Sequence, residues 1–262
     1  MGEPIYQVDA FTEKKFAGNP AGVCILSEAR PDAWMQAVAA EMNVSETAFA
    51  RREEGGFHLR WFTPSVEVDL CGHATLAAAH ALWESGLLQD DEPARFRTLS
   101  GPLTATRRGG MIAMDFPAEP ERPAVAPDAL RRALGAEPLY FGKNRMDCLV
   151  EIESEAVLRG LSPDFELLKS IPARGFIVTA VSSEPEFDFV SRFFAPAVGI
   201  NEDPVTGSAH CCLGPYWSKH GDKTEFTAYQ ASARGGVVRV ALAGDRVIIS
   251  GHAVTVLRCE LV

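Results

Sequence analysis

The sequence predicts an α+β chain built twice over: two lobes of related fold, each a sheet of short strands with one helix buried inside it. An internal repeat is the first reason. Arg60-Trp61-Phe62-Thr63-Pro64-Ser65-Val66 returns as Arg192-Phe193-Phe194-Ala195-Pro196-Ala197-Val198, an offset of 132 (192 − 60) in a chain of 262 residues. The second reason lies just beyond each copy. A glycine opens a small-residue stretch, Gly72-His73-Ala74-Thr75-Leu76-Ala77 and Gly207-Ser208-Ala209-His210-Cys211-Cys212, carrying a tryptophan (Trp83, Trp217) and stopping at Gly86 and Gly221. The third is strand-type alternation through much of the remainder, as in Phe57-His58-Leu59-Arg60-Trp61 and Phe187-Asp188-Phe189-Val190.

Taken in order, the elements fit that frame. One helix outside the repeat is expected from about Pro31 to Met42, with proline in its first turn and Trp34, Val38 and Met42 on one face. The two glycine-led stretches read as helices that are apolar nearly all round, hence buried, with Gly86 and Gly221 as C-caps. The proline-rich segment 117–127 marks a lobe boundary, giving an N-terminal lobe of 1–116 and a C-terminal lobe of 117–262. Residues 237–242, 246–250 and 253–261 read as a closing meander, its last strand free to return to the first lobe.

Composition narrows the function. With 47% hydrophobic residues the chain buries a sizeable core, and a net charge of −10 repels nucleic acid and anionic membranes. No basic and apolar leader opens the chain, no apolar run reaches the length of a membrane span, and the six cysteines show no Cys-x-x-Cys pair. The expectation is a cytoplasmic protein with reduced thiols, and a small anionic metabolite as its ligand.

The chemistry-bearing residues gather at the two glycine-led turns. The first N–H groups of a helix have no intrahelical partner and sit at the positive end of its dipole. Two such starts, at Gly72 and Gly207, facing one cleft between the lobes would hold a carboxylate and spread the charge of a neighbouring carbanion. Cys71 and His73 stand at the first, Asp203, Thr206 and Ser208 at the second. Each alone is equally a structural residue: Cys71 a small core thiol, Asp203 a turn cap before Pro204, Ser208 a helix-start hydroxyl. Glu46 precedes the apolar Thr47-Ala48-Phe49-Ala50. If buried there its pKa would rise toward neutrality, where a general base is most useful; as a solvated loop residue it would do nothing. Gly18-Asn19-Pro20 is a turn that would wall a cleft. No Gly-x-Gly-x-x-Gly, P-loop or His-Glu-x-x-His occurs, and no histidine spacing calls for a metal, so no cofactor and no metal are expected.

These residues belong to an ordered series. Val8-Asp9-Ala10-Phe11, Gly18-Asn19-Pro20-Ala21, Ser45-Glu46-Thr47-Ala48-Phe49, Arg60-Trp61-Phe62-Thr63-Pro64, Cys71-Gly72-His73-Ala74-Thr75 and Glu202-Asp203-Pro204-Val205-Thr206-Gly207-Ser208-Ala209 run on into Tyr229-Gln230-Ala231-Ser232-Ala233-Arg234-Gly235-Gly236. The series resembles that of the PhzF-like family of phenazine biosynthesis. The resemblance implies the diaminopimelate-epimerase-like fold: two pseudo-symmetric lobes, each a curled antiparallel sheet around a central helix. It also implies a homodimer. In the phenazine enzyme a glutamate matching Glu46 moves a proton between carbons of a hydroxylated cyclohexadiene carboxylate. Residues matching His73, Asp203 and Ser208 face that substrate, and the glycine-led turns bind its carboxylate. Epimerases of this fold use a cysteine at each helix start; here Cys71 holds the first position and Thr206 the second.

The resulting expectation is a cofactor-independent isomerase acting on a small carboxylate-bearing metabolite. Glu46, His73 and Asp203 are its candidate catalytic residues, and Asn19, Gly72, Gly207, Ser208, Cys71 and Thr206 its candidate binding residues. One rival is an amino-acid racemase or epimerase using Glu46 with Cys71 or His73. The other is a binding or regulatory protein without turnover. Glu46 is expected to have a raised pKa and to lie near His73 and Asp203.

Overall fold

A computed structural model describes residues Gly2–Val262, and the chain divides into two units, Met1–Asp115 with Ser250–Val262, and Phe116–Ile249. Unit 1 runs β1 (Glu3–Ala10), β2 (Asn19–Leu26), α1 (Asp32–Met42), β3 (Glu46–Glu53), β4 (Gly56–Phe62), β5 (Glu67–Val68), α2 (Gly72–Glu84), β6 (Ala94–Thr98), β7 (Gly101–Arg108) and β8 (Met111–Pro117). Unit 2 runs β9 (Arg122–Pro123), α3 (Asp128–Leu134), β10 (Tyr140–Lys143), β11 (Asp147–Glu151), α4 (Glu155–Gly160), α5 (Phe165–Lys169), β12 (Gly175–Val181), β13 (Phe189–Ala195), β14 (Ile200–Asp203), α6 (Gly207–Ser218), β15 (Glu225–Gln230), β16 (Gly236–Ala243) and β17 (Arg246–Gly251). The final strand, β18 (Ala253–Leu261), pairs antiparallel with β1 of unit 1 from Glu3↔Leu261 to Ala10↔Ala253.

The repeat is structural as well as sequential. In unit 1 the ladder β1–β2–β3–β4–β6–β7 alternates antiparallel, parallel, antiparallel, parallel, antiparallel. In unit 2 the ladder β10–β11–β12–β13–β15–β16 repeats that alternation in the same order. The sheets are therefore mixed, not wholly antiparallel. A parallel neighbour needs a crossover connection. Between β2 and β3 it is α1, between β4 and β6 it is α2, between β11 and β12 it is α4 with α5, and between β13 and β15 it is α6.

Local chemistry explains why both copies of the repeat keep Arg-x-Phe. Positions two apart on a strand share a face. Arg60 lies 5.1 Å from the Phe62 ring and grips Glu67 through two bonds of 2.6 and 2.7 Å. Arg192 lies 4.9 Å from the Phe194 ring and grips Glu202 at 2.6 and 2.9 Å. Each guanidinium ties a long strand to the short one paired with it, β4 to β5 and β13 to β14.

The two glycine-led helices are buried as expected. In α2 residues 73–79 and 81–83 are buried, and in α6 nine residues from Gly207 to Trp217 are. Pro215 inside α6 has no N–H to offer the Cys211 carbonyl, and the backbone N–H of Glu119 takes that acceptor instead at 3.0 Å. Gly86 follows α2 with a left-handed φ of 76°. Gly221 is no such cap. The chain leaves α6 through Lys219, and the N–H groups of Lys219 and His220 bond the carbonyls of Tyr216 and Trp217, so the last turn tightens without a left-handed residue. Pro31 is the N-cap of α1, and Met35, Val38 and Ala39 form that helix's buried face with Trp34 and Met42 flanking it. Phe187 and Asp188 precede β13 instead of opening it. All six cysteines are free thiols, and among the described residues no helix is long and apolar enough to cross a membrane.

Candidate active site

In unit 1, β3 begins at Glu46, and α2 begins at Gly72 with Cys71 as its N-cap. Strand pairing places Ala21↔Glu46, which brings the start of β2, and so Asn19, beside the same end of the sheet. The side chains converge. His73 Nε2 lies 3.2 Å from Glu46 Oε2, an ion-pair distance, and beyond that pairing neither buried atom has a hydrogen-bond partner among the described residues. On its other side the ring's Nδ1 is 3.2 Å from Asn19 Nδ2 and 3.5 Å from Cys71 Sγ. Ser45 Oγ donates to Asn19 Oδ1 at 3.2 Å. Asn19 can serve either charge state of His73: as oriented its amide donates to a bare Nδ1, and turned over it would accept from Nδ1–H. Glu46, Cys71 and His73 are 9%, 7% and 5% exposed.

The charge state is set by burial and neighbours. Burial alone would raise the Glu46 carboxyl, but the His73 imidazole facing it and the Cys71 thiol bring it below the usual carboxylate range. Burial alone would lower His73, yet Cys71 and Glu46 raise it well above the ordinary imidazole value. Burial, then the Glu46 charge, pushes the Cys71 thiol up to about 11. The expected raised pKa of Glu46 is therefore corrected. Desolvation acts in the expected direction, and an adjacent cation outweighs it. The pair is carboxylate and imidazolium, with a neutral thiol beside it.

In unit 2, Thr206 is the N-cap of α6 and its Oγ1 donates to Asp203 Oδ2 at 2.5 Å. The buried Gln230 straps this turn: its Oε1 accepts the Thr206 N–H at 2.8 Å and its Nε2 donates to the Asp203 carbonyl at 2.8 Å. Ser232 Oγ donates to the Pro204 carbonyl at 2.8 Å. Ser208 Oγ accepts from Arg174 Nη2 at 3.0 Å, while the same guanidinium bonds both oxygens of buried Asp147 at 2.8 and 2.5 Å. Sequence reasoning missed Arg174, Asp147 and Gln230 as partners of the site. The motif 229–236 was the available signal for Gln230; nothing local singled out Arg174.

Register assigns equivalents between units. Phe49 pairs with Arg60 and Val178 with Arg192, so Glu46 corresponds to Gly175 and Ser45 to Arg174. Trp61 pairs with Val68 and Phe193 with Asp203, so Val68 corresponds to Asp203. No side chain fits at Gly175, where a Cβ would lie 2.3 Å from the Phe193 ring. Each unit thus brings one carboxylate to its helix start, from different strands.

Known proteins share this fold, and several share a good part of the sequence. A solved structure of a PhzF-family phenazine biosynthesis protein from Enterococcus faecalis superposes with a TM-score of 0.96 at 41% identity, covering all of both chains. A predicted epimerase of Pseudomonas aeruginosa, at 23% identity over 99% of each chain, shares the fold with a TM-score of 0.73. An uncharacterized isomerase of Halalkalibacterium halodurans is 58% identical over all of this chain and 99% of its own length. The profile of the family described as phenazine biosynthesis-like protein matches residues 8–259, and the chain belongs to that family, some of whose relatives are named as isomerases.

Proposed function

We propose that the protein is a cofactor-independent isomerase that moves a proton on a small carboxylate-bearing metabolite, with Glu46 as the acid/base. The observation that supports this most is the buried pair of polar atoms without hydrogen-bond partners, Glu46 Oε2 and His73 Nε2, next to the first turn of α2. The two face each other as an ion pair and have no further hydrogen-bond partner, so a bound ligand's groups can take up the bonding capacity that remains. The ionised Glu46 takes a carbon-bound proton adjacent to an activating group and returns it to another carbon. The positive end of the α2 dipole and the imidazolium favour the negative charge that develops between the two steps. In unit 2, Asp203 stays a candidate catalytic residue and Thr206 and Ser208 candidate binding residues, Ser208 keeping its proton to donate because Arg174 already occupies an oxygen lone pair.

One base favours isomerisation over racemisation. Racemisation needs a protonated group that delivers the proton to the opposite face, whereas the ligand atoms of Cys71 and His73 both cluster with that of Glu46, all within 4.8 Å of one another. The test is a metabolite screen in deuterated water, followed by Glu46→Gln and Cys71→Ser on the compound that exchanges. Glu46→Gln is expected to lower carbon-bound deuterium uptake by roughly 10²–10⁴-fold, and Cys71→Ser by far less. Equal losses would favour the two-base epimerase, and full exchange by Glu46→Gln would end the glutamate mechanism.

A further inference from the structure

We propose that Glu46, Cys71 and His73 also form a zinc-capture site whose occupation blocks proton transfer. The inference goes beyond the isomerase reading and does not require turnover. One ligand atom from each of the three residues lies within 4.8 Å of the others. Glu46 Oε2 and His73 Nε2 are both buried without a hydrogen-bond partner and 3.2 Å apart, about the separation of neighbouring ligands around a zinc ion with bonds near 2.0–2.2 Å. Cys71 Sγ, now 3.5 Å from His73 Nδ1, would turn about its χ1 toward the Nε2 side to reach the same ion with a Zn–S bond of about 2.3 Å.

The donor set selects the metal. A thiolate, an imidazole and a carboxylate suit zinc and exclude magnesium and calcium, which take oxygen ligands. Three protein ligands leave a fourth position open, as in zinc sites that keep a water. A ligating histidine needs an acceptor for its other N–H. Asn19 supplies it by turning its amide, so that Oδ1 accepts from His73 Nδ1 and Nδ2 donates to Ser45 Oγ. Binding sends two protons to solvent, one from the Cys71 thiol and one from Nε2 of the His73 imidazolium. Nothing is oxidised or reduced. The carboxylate oxygen that would take a substrate proton is then held by the metal.

Cobalt(II), a spectroscopic stand-in for zinc, tests this on the full chain stripped of metal. The expected result is tetrahedral visible bands and a thiolate-to-cobalt charge-transfer band, saturating at one ion per chain and erased by added zinc. Cys71→Ser should remove the charge-transfer band, and Glu46→Gln should weaken binding at least about tenfold, since even outer-shell losses cost that much. Cys259→Ser, at the exposed thiol, should change nothing. Absence of the band in wild type, its survival in Cys71→Ser, its loss in Cys259→Ser, or undiminished affinity in Glu46→Gln would each overturn the site. Should Cys71→Ser not fold, Glu46→Gln decides alone. Deuterium exchange by the metal-free protein is unaffected by any of these outcomes, so failure here leaves the isomerase reading standing.

Discussion

Where unit 1 puts the Glu46 carboxylate, unit 2 puts Gly175 and covers it with the Phe193 ring. Where unit 1 puts Ser45, a neutral donor to Asn19, unit 2 puts Arg174, locked to Asp147 and Ser208. The arginine clamps of β4 and β13 are the same in both units. So duplication kept the parts that hold strands together and changed those at the helix starts. The difference also separates two states of a polar group. At the matched positions, unit 2 ties Arg174 to Asp147 and Ser208, whereas in unit 1 Glu46 Oε2 and His73 Nε2 face only each other, 3.2 Å apart.

The sharpest way to break the comparison is to remove the imidazolium. In wild type the lowered Glu46 pKa contributes stability that is present above its unfolded-state value and lost as pH falls through the folded one. The raised His73 pKa contributes stability that is present below the ordinary imidazole value and lost as pH rises through the folded one. Both contributions are full only where carboxylate and imidazolium coexist. In His73→Gln only the Cys71 thiol is left to oppose burial at Glu46, whose pKa is expected to move above the ordinary carboxylate value, carrying the acid limb of exchange to higher pH. Carbon-13 shifts of the Glu46 carboxyl would track this directly. An unmoved titration would mean that His73 does not set the charge of Glu46.

Unit 2 is tested by Arg174→Met, which strands the buried Asp147 carboxylate. The expected loss is about 2–3 kcal/mol, under the 3–5 kcal/mol of a fully buried pair because the Arg174 side chain is 36% exposed. Urea unfolding measures it. The matched change in unit 1, Ser45→Ala, removes one neutral hydrogen bond and should cost about 1 kcal/mol. If the two losses were equal, the claim that unit 2's site is the charge-locked one would fail.

The duplicated fold was legible because its cause is local. A strand residue and the one two places on share a face, so Arg60 with Phe62 and Arg192 with Phe194 announce the same clamp in one dimension. Burial of the glycine-led helices was legible for the same reason. The parallel pairings were not read, although a helix between two strands, as α2 stands between β4 and β6, is the signal for them. Position left Glu46 open between a buried base and a solvated loop residue, and its charge state depends on a 3.2 Å approach by a residue 27 places away (73 − 46), which no pattern encodes. Arg174 joins the site only through Asp147, also 27 residues away, and Ser208, 34 away. Gly221 misled because glycine after a helix is a preference, and Lys219 with His220 closed the turn without it.

The pairing of β18 with β1 sets a timetable for a chain emerging from the ribosome. All of unit 2, Phe116–Ile249, is synthesised before the strand that completes unit 1. Until then β1 has β2 on one flank and a row of unpaired N–H and C=O groups on the other. The half translated first is therefore the half finished last, and its closure joins residues about 250 positions apart, a contact of the slowest kind to form. While synthesis continues, that open strand is the place where an unfinished chain would meet another.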